Sequence, residues 1–222
     1  MKLYEKLYEE ENQLSEERTS LKVFFRIIQQ HYLNLIGLNL LFLVCCLPVI
    51  TIGPALKGLT RVTMNMVRNE PVHIRHDFFR EFKNQFILSL GIGGLINILF
   101  VLLTLSIQFY VLKSVVIYNV FAGILICLFI YIIITYMYLL NETVYLDLSF
   151  KNRLKNAFLL VLATPKNLLI IILTVLLPFY LSIKSMAMGI PYLFIGYFSI
   201  SSVIGSILSF ETLNKYITKD SR

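Results

Sequence analysis

Five long apolar runs, none with a charged residue, constrain the fold of this chain more than any other feature. They cover residues 33–52, 86–112, 115–140, 168–183 and 190–210. A soluble fold cannot hide so much contiguous apolar surface, whereas a helix of about 20 such residues crosses a bilayer core of roughly 30 Å. Only 15% of the residues are charged, against about 25% in soluble domains. The sequence therefore predicts an all-α, polytopic helical membrane bundle with five long transmembrane helices.

The basic residues between the runs predict the orientation. Thirteen Lys and Arg residues lie in the first connection, the third connection and the tail, against two in the second and fourth connections. Cytoplasmic loops carry the excess of Lys and Arg. We therefore expect the basic loops at 68–85 and 141–167 and the tail at 211–222 to be cytoplasmic, in a multi-pass protein of the plasma membrane. The net charge of +7 follows from this bias, so it does not indicate nucleic-acid binding.

A short second helix would place the basic N-terminal segment on the same side of the membrane as the tail. With five spans alone, the basic N-terminal segment would lie on the extracytoplasmic side. Gly53-Pro54 favours a turn, and Pro54 suits the first position of a helix over residues 54–67. At about 1.5 Å per residue this helix is too short to span comfortably, so we expect it to be half-spanning or re-entrant and packed against protein. The prediction is six helices with both termini cytoplasmic.

The chain reads as one transmembrane domain, residues 21–210, preceded by an arm. Residues 1–20 are rich in Glu, with Leu and Tyr near helical spacing. A solvated helix is the simpler interpretation, and a surface that lies on the membrane or contacts a partner helix is the alternative.

The second helix carries a stripe of cations and one amide. Spacings of four and three place four side chains on one face: Lys57, Arg61, Asn65 and Arg68. Long basic side chains at such depth commonly snorkel toward lipid headgroups. The alternative is a groove that binds an anion, which would be a phospholipid headgroup or the acidic surface of a partner.

No catalytic or cofactor signature is present in the sequence. The apolar runs contain no ionisable side chain, and their Asn, Ser and Thr residues are typical of interhelical hydrogen bonds. A metal cluster of Glu70, His73, His76 and Asp77 is conceivable, because Glu70, His73 and Asp77 would share one helical face, but Pro71 interrupts that helix and a solvated patch is favoured. We predict no cofactor, no metal and no enzymatic activity.

Small residues predict close helix packing in the last run. Ser201, Gly205 and Ser209 recur every fourth position, and Ser89 with Gly93 offers a matching face on another run. These faces meet either within one chain or between chains, so a homo-oligomer stays open.

Residues 38–55, LNLLFLVCCLPVITIGPA, resemble the hallmark of the YesL family of bacterial membrane proteins, a domain of unknown function. The resemblance continues through the segment His76-Asp-Phe-Phe-Arg80 and covers most of residues 21–210. Asn69 departs from the Gly usual in that family. The residues that match the pattern are Asn39, Pro48, Gly53, Pro54, Asp77, Phe78, Phe79 and Lys83.

The resemblance implies an association with carbohydrate ABC transporters of Gram-positive bacteria, without an established activity. We therefore expect a non-enzymatic accessory or assembly partner whose contacts are the lipid bilayer and ABC permease subunits. A small transporter or channel is the alternative, because Pro48, Gly53-Pro54 and Pro178 predict broken helices. A lipid-modifying enzyme using His73, His76 and Asp77 is the least favoured of the three hypotheses.

Overall fold

A computed structural model of the chain describes residues 2–112, 116–146, 148–176, 178 and 193–215. Every regular element within these residues is helical, which confirms the predicted all-α bundle. A short 3-10 turn, Val49–Thr51, precedes the second helix, and π-helical segments follow the seventh helix and precede the eighth. The α-helices are α1 Lys2–Cys45, α2 Ile52–Val67, α3 Ile74–Lys83, α4 Phe86–Val111, α5 Val116–Tyr145, α6 Phe150–Ala163, α7 Pro165–Ile171 and α8 Phe198–Leu213.

Four helical segments within the described residues are long and apolar enough to cross a membrane. They are Ser20–Cys45, Phe86–Val111, Ile117–Tyr145 and Leu193–Leu213. Phe150–Ala163 and Pro165–Thr174 form a bent pair with an angle of 88°, which makes a fifth span if the pair crosses as one unit. The chain is therefore a membrane-spanning protein, and much of the predicted fourth run lies outside the described residues.

The first span differs from its predicted bounds at both ends. Helix α1 begins at Lys2, so the arm and the span form one helix, with a kink at His31 where φ is −127° and ψ is 20°. The helix ends at Cys45, seven residues before the end of the predicted run. Pro48 explains this early end, because a proline disfavours helical conformation in the residue before it and lacks an N–H for the helix ladder.

Helix α2 lies at the centre of the bundle, although it is one of the shorter helices. It begins at Ile52, so Pro54 is its third residue, not the first residue that the sequence predicted. Proline is tolerated there because the N–H groups of the first turn have no partner within the helix. All of its residues except Ile52, Leu56 and Arg61 are buried. The expectation that this helix packs against protein is confirmed.

Two hydrophobic cores hold the helices together. The first joins α1, α2, α3 and α8 through residues such as Leu38, Leu59, Phe78 and Val203. The second joins α5, α6, α7 and α8, with Tyr138 among its fully buried side chains. The connections at 68–85 and 141–167 are largely helical, since they contain α3, the end of α5 and α6.

Candidate functional site

The cations of the α2 stripe face α3, where a buried carboxylate binds two of them. Lys57 Nζ lies 3.1 Å from Glu81 Oε1, and Arg61 Nε lies 3.0 Å from Glu81 Oε2. Lys57 Nζ also donates to the Asn84 carbonyl at 2.9 Å. The side chains of Lys57 and Glu81 are each only 3% exposed. Lys57 therefore holds two helices together inside the protein and does not snorkel to the surface.

Asn65, the third residue of the stripe, contacts a second buried carboxylate of α3. Asn65 Nδ2 donates to Asp77 Oδ2 at 3.4 Å, and the backbone N–H of His73 donates to the same oxygen at 3.0 Å. Arg80 Nη2 lies 3.5 Å from Asp77 Oδ1. Asp77 thus closes the first turn of α3, where the helix dipole favours a negative charge.

Both carboxylates have a lowered pKa. Burial acts to raise the pKa of Glu81, but the hydrogen bond and charge of Lys57, followed by those of Arg61, outweigh it. Burial likewise acts to raise the pKa of Asp77, and the His73 N–H with its other partners holds the pKa below the ordinary value. These groups therefore form an ion-pair layer between α2 and α3, defined here as Lys57, Arg61, Asn65, Asp77 and Glu81.

Arg68, the last residue of the stripe, is the most accessible. Its Nη2 lies 2.8 Å from Glu70 Oε1, and both side chains are more than one-third exposed. Its guanidinium also lies over the Tyr145 ring, 5.3 Å from the centroid. A surface ion pair of this kind contributes little stability. Binding of an external anion along the stripe stays a prediction, with Arg68 and the partly exposed Arg61 as the reachable cations.

Of the candidate metal ligands Glu70, His73, His76 and Asp77, only Asp77 belongs to the ion-pair layer. His76 Nδ1 lies 3.3 Å from Asp77 Oδ1, whereas Glu70 pairs with Arg68. Across the part of the chain that the structure describes, no three His, Cys, Asp or Glu side chains come together in a way that could hold a metal ion.

Asn39 joins α1 to the start of α8 through four hydrogen bonds. Its Nδ2 donates to the carbonyls of Leu193 and Phe194 at 2.9 and 2.8 Å. Its Oδ1 accepts the N–H groups of Phe198 and Ser199 at 3.0 and 3.3 Å. The two carbonyls belong to the first residues of the π-helical segment Leu193–Tyr197, where the α-helical ladder is interrupted, and the two N–H groups directly follow that segment. Asn39 thus satisfies an irregular backbone at membrane depth, where water is not available, which confirms the expected interhelical hydrogen bonding.

Gly53 allows α2 to approach α4 closely. A Cβ on Gly53 would lie 2.5 Å from the Ser89 carbonyl oxygen and 2.9 Å from Gly93 Cα. The face formed by Ser89 and Gly93 therefore meets α2 within the same chain. Of the other residues in the family pattern, Phe78 is fully buried, while Phe79 and Lys83 are exposed.

The small-residue face of α8 also packs within the chain. A Cβ on Gly205 would lie 2.6 Å from Met137 Sδ of α5. The neighbouring Ser202 and Ser206 hydroxyls lie 2.9 and 3.0 Å from Thr63 Oγ1 of α2. Ser209 is buried and Ser201 is partly buried. The two predicted small-residue faces thus contact other helices instead of each other.

Residues 35–107 match a protein family described as "Protein of unknown function, DUF624". The matched region runs from α1 to α4, and it includes Asn39, the central helix and the ion-pair layer. It covers about a third of the chain, and it supports a domain-of-unknown-function family without the narrower YesL likeness. Comparison with curated proteins and with solved structures found no match.

Sequence reasoning missed a polar cluster at the end of α5. Tyr138 Oη lies 3.2 Å from Thr164 Oγ1, and Asn167 Nδ2 donates to both Tyr138 Oη and Thr212 Oγ1 at 3.0 Å. Glu142, one turn beyond Tyr138, is fully buried. The predicted loop at 141–167 placed Glu142 outside the membrane helix, because the apolar run ends at residue 140. The sequence did indicate that the helix continues beyond residue 140, because no helix-breaking Gly or Pro occurs before Pro165.

Proposed function

We propose that this chain is a non-enzymatic accessory or assembly partner of a carbohydrate ABC transport system in the plasma membrane, with both termini cytoplasmic. The observation that carries the proposal is the sparse burial of α4 and α5. In the most apolar 18-residue stretch of each helix, only 11% of α4 and 17% of α5 is buried inside the protein. The corresponding share for Leu193–Leu213 is 50%. These faces are available to other membrane helices, and the YesL resemblance supplies the class of partner.

The outer face of α4 is one continuous apolar stripe. Its residues recur every three or four positions, as one face of a helix requires. Gly91 forms a notch in this stripe, because a Cβ there would have no atom within 4 Å. A small residue lets a partner helix approach closely. The exposed stripe comprises Ile87, Gly91, Leu95, Ile98, Leu102, Leu105 and Phe109.

The ion-pair layer supports a role without catalysis. Glu81 and Asp77 are held by Lys57, Arg61, Asn65 and a backbone N–H. Their lowered pKa values oppose any use as a general acid or base near neutral pH.

The test is purification of the tagged protein from its native host in mild detergent, followed by mass spectrometry. We expect ABC permease subunits at near-equal amounts, and a reduced recovery with Gly91→Leu. Gly37→Leu is the matched control, because a Cβ on Gly37 of α1 also has no atom within 4 Å. Gly205→Leu cannot test the contact with a partner, because Gly205 packs against Met137 within the chain. A wild-type homo-oligomer without any permease would refute the accessory role.

A small transporter or channel is the second candidate, and one feature favours it. A cleft of about 580 Å³ lies between α1, α7 and α8, beside the 88° bend between α6 and α7. Its lining is mostly apolar, with residues such as Phe24, Ile170 and Ile204, and it also includes the charged Lys166 and Glu211. Uptake of sugars or ions by reconstituted vesicles tests this candidate, and flux no greater than in empty liposomes would count against it.

A further inference from the structure

Three buried side chains near the end of α5 carry oxygen atoms without a hydrogen-bond partner in the part of the chain that the structure describes. Neither carboxylate oxygen of Glu142 has a partner, although its side chain is 0% exposed. Asn141 Oδ1 and Ser209 Oγ are also buried and unpartnered. Asn141 Nδ2 donates to the Met137 carbonyl at 2.9 Å, so the amide is oriented with its oxygen free to accept.

The packing of α5 on α8 places these oxygens at one level of the bundle. Met137 contacts Gly205, and Tyr145 Oη donates to Asn214 Oδ1 at 2.9 Å. Asn141 is one helical turn beyond Met137, and Ser209 is one turn beyond Gly205. The two helices run in the same direction, so Asn141 and Ser209 lie between the same pair of contacts.

Glu142 lies at this level too. It is one turn beyond Tyr138, whose hydroxyl is 3.5 Å from Thr212 Oγ1 of α8. The buried, unpartnered oxygen atoms therefore lie on the stretch where α5 packs against α8, close to the C-terminal end of α5.

An ionised Glu142 would require a compensating positive charge at this place. A buried carboxylate without a partner is costly, and more so in a membrane segment. The charge of Arg153 attracts the Glu142 carboxylate from a distance, but the two side chains form no hydrogen bond. Arg153 Nε donates to the Leu148 carbonyl instead, at 2.7 Å. No described Lys, Arg or His forms an ion pair with Glu142 within 4.0 Å. The carboxylate is enclosed, with a side-chain exposure of 0%.

We propose that Glu142, Asn141 and Ser209 bind a monovalent metal cation. Carboxylate, amide and hydroxyl oxygens are the donors that hard cations prefer. One carboxylate balances one positive charge, so a monovalent ion leaves the buried site neutral, whereas a divalent ion does not. The C-terminal end of α5 adds the negative end of a helix dipole, which also favours a cation. This inference is independent of the partner proposed above.

The experiment measures the melting temperature of the full-length protein in lipid nanodiscs. NaCl, KCl and N-methyl-D-glucamine chloride are compared at equal ionic strength and pH. We expect a higher melting temperature in NaCl or KCl, rising with concentration and then saturating, because a ligand that binds only the folded state stabilises it. Glu142→Gln keeps the side-chain shape but removes the charge, and it should abolish the difference between the salts.

Glu70→Gln is the matched control, since Glu70 is a partly exposed carboxylate outside the spans. It should keep the wild-type response to Na⁺ or K⁺. Equal melting temperatures of the wild type in all three salts would overturn the proposal. The proposal would also be overturned by a Glu142→Gln variant that keeps the salt response, or by a wild type whose stability follows pH but not Na⁺ or K⁺.

Discussion

Replacing Asn39 by leucine tests how this fold satisfies a broken helix in the membrane. The change keeps the size of the side chain but removes all four hydrogen bonds to the backbone around Leu193–Tyr197. At about 0.6 kcal/mol for an average hydrogen bond between membrane helices, the four bonds contribute about 2.4 kcal/mol. If the backbone of this segment rewinds in the variant, most of the freed N–H and C=O groups find new partners within the helix. One donor and one acceptor that stay unpaired would then destabilise the fold by about 2 kcal/mol each. We expect a loss of about 2 to 4 kcal/mol in the free energy of unfolding.

The assay is unfolding of the purified protein in mixed micelles, as the fraction of SDS is raised. Asn34→Leu is the control, because Asn34 lies on the same helix and, among the described residues, its side chain hydrogen-bonds only to the neighbouring His31, at 3.2 Å. It should cost less than about 1 kcal/mol, as a partly buried position away from such networks does. If both variants unfold at the same SDS fraction, Asn39 does not stabilise the start of α8 and the reasoning is refuted.

Three further predictions concern the α2 interfaces. Glu81→Gln should cost about 3 kcal/mol, because it leaves Lys57 as a buried charge without a carboxylate; Glu70→Gln, at an exposed pair, should cost less than about 1 kcal/mol in the same unfolding assay. The folded-state pKa of Glu81 is lowered, so its stabilisation is complete above the ordinary value of 4.5 and is lost as the pH falls through the folded value. A pH series should show this decline in the wild type, and the same decline in Glu81→Gln would contradict it. Gly53→Ala should destabilise by about 1 to 3 kcal/mol, because its Cβ would meet the backbone of α4. Gly91→Ala has open space and should melt like the wild type, so equal losses for the two alanines would exclude close packing as the cause.

Length and periodicity allowed the helices to be predicted, but they misplaced several ends. The predicted start of the last span, at residue 190, lies outside the described residues, and its π-helical segment at Leu193–Tyr197 had no signal in the sequence. Asn39, which satisfies that segment, is 154 residues away from Leu193 along the chain. Such pairing depends on how helices are arranged in space, and periodicity within one helix contains no information about it.

The cation stripe shows the same limit at the candidate site. Spacings of four and three placed Lys57, Arg61, Asn65 and Arg68 on one helix, and the structure has the first three on α2 and Arg68 directly after its last residue, Val67. They could not reveal that α3 returns beside α2 and brings Glu81 within 3.1 Å of Lys57. The number of charges was visible in the sequence, but the distance between them was not.

The helical membrane class could be predicted from the sequence alone, because uncharged runs of about 20 residues are stable only where lipid or protein surrounds them. The sequence also predicted that the helix after Gly53-Pro54 is too short to stand alone in lipid. Which helix lies at the centre and which polar groups become partners follow from the packing of the helices. The burial of α2 and Glu142 and the hydrogen bonds of Asn39 depend on atoms brought together from distant parts of the chain.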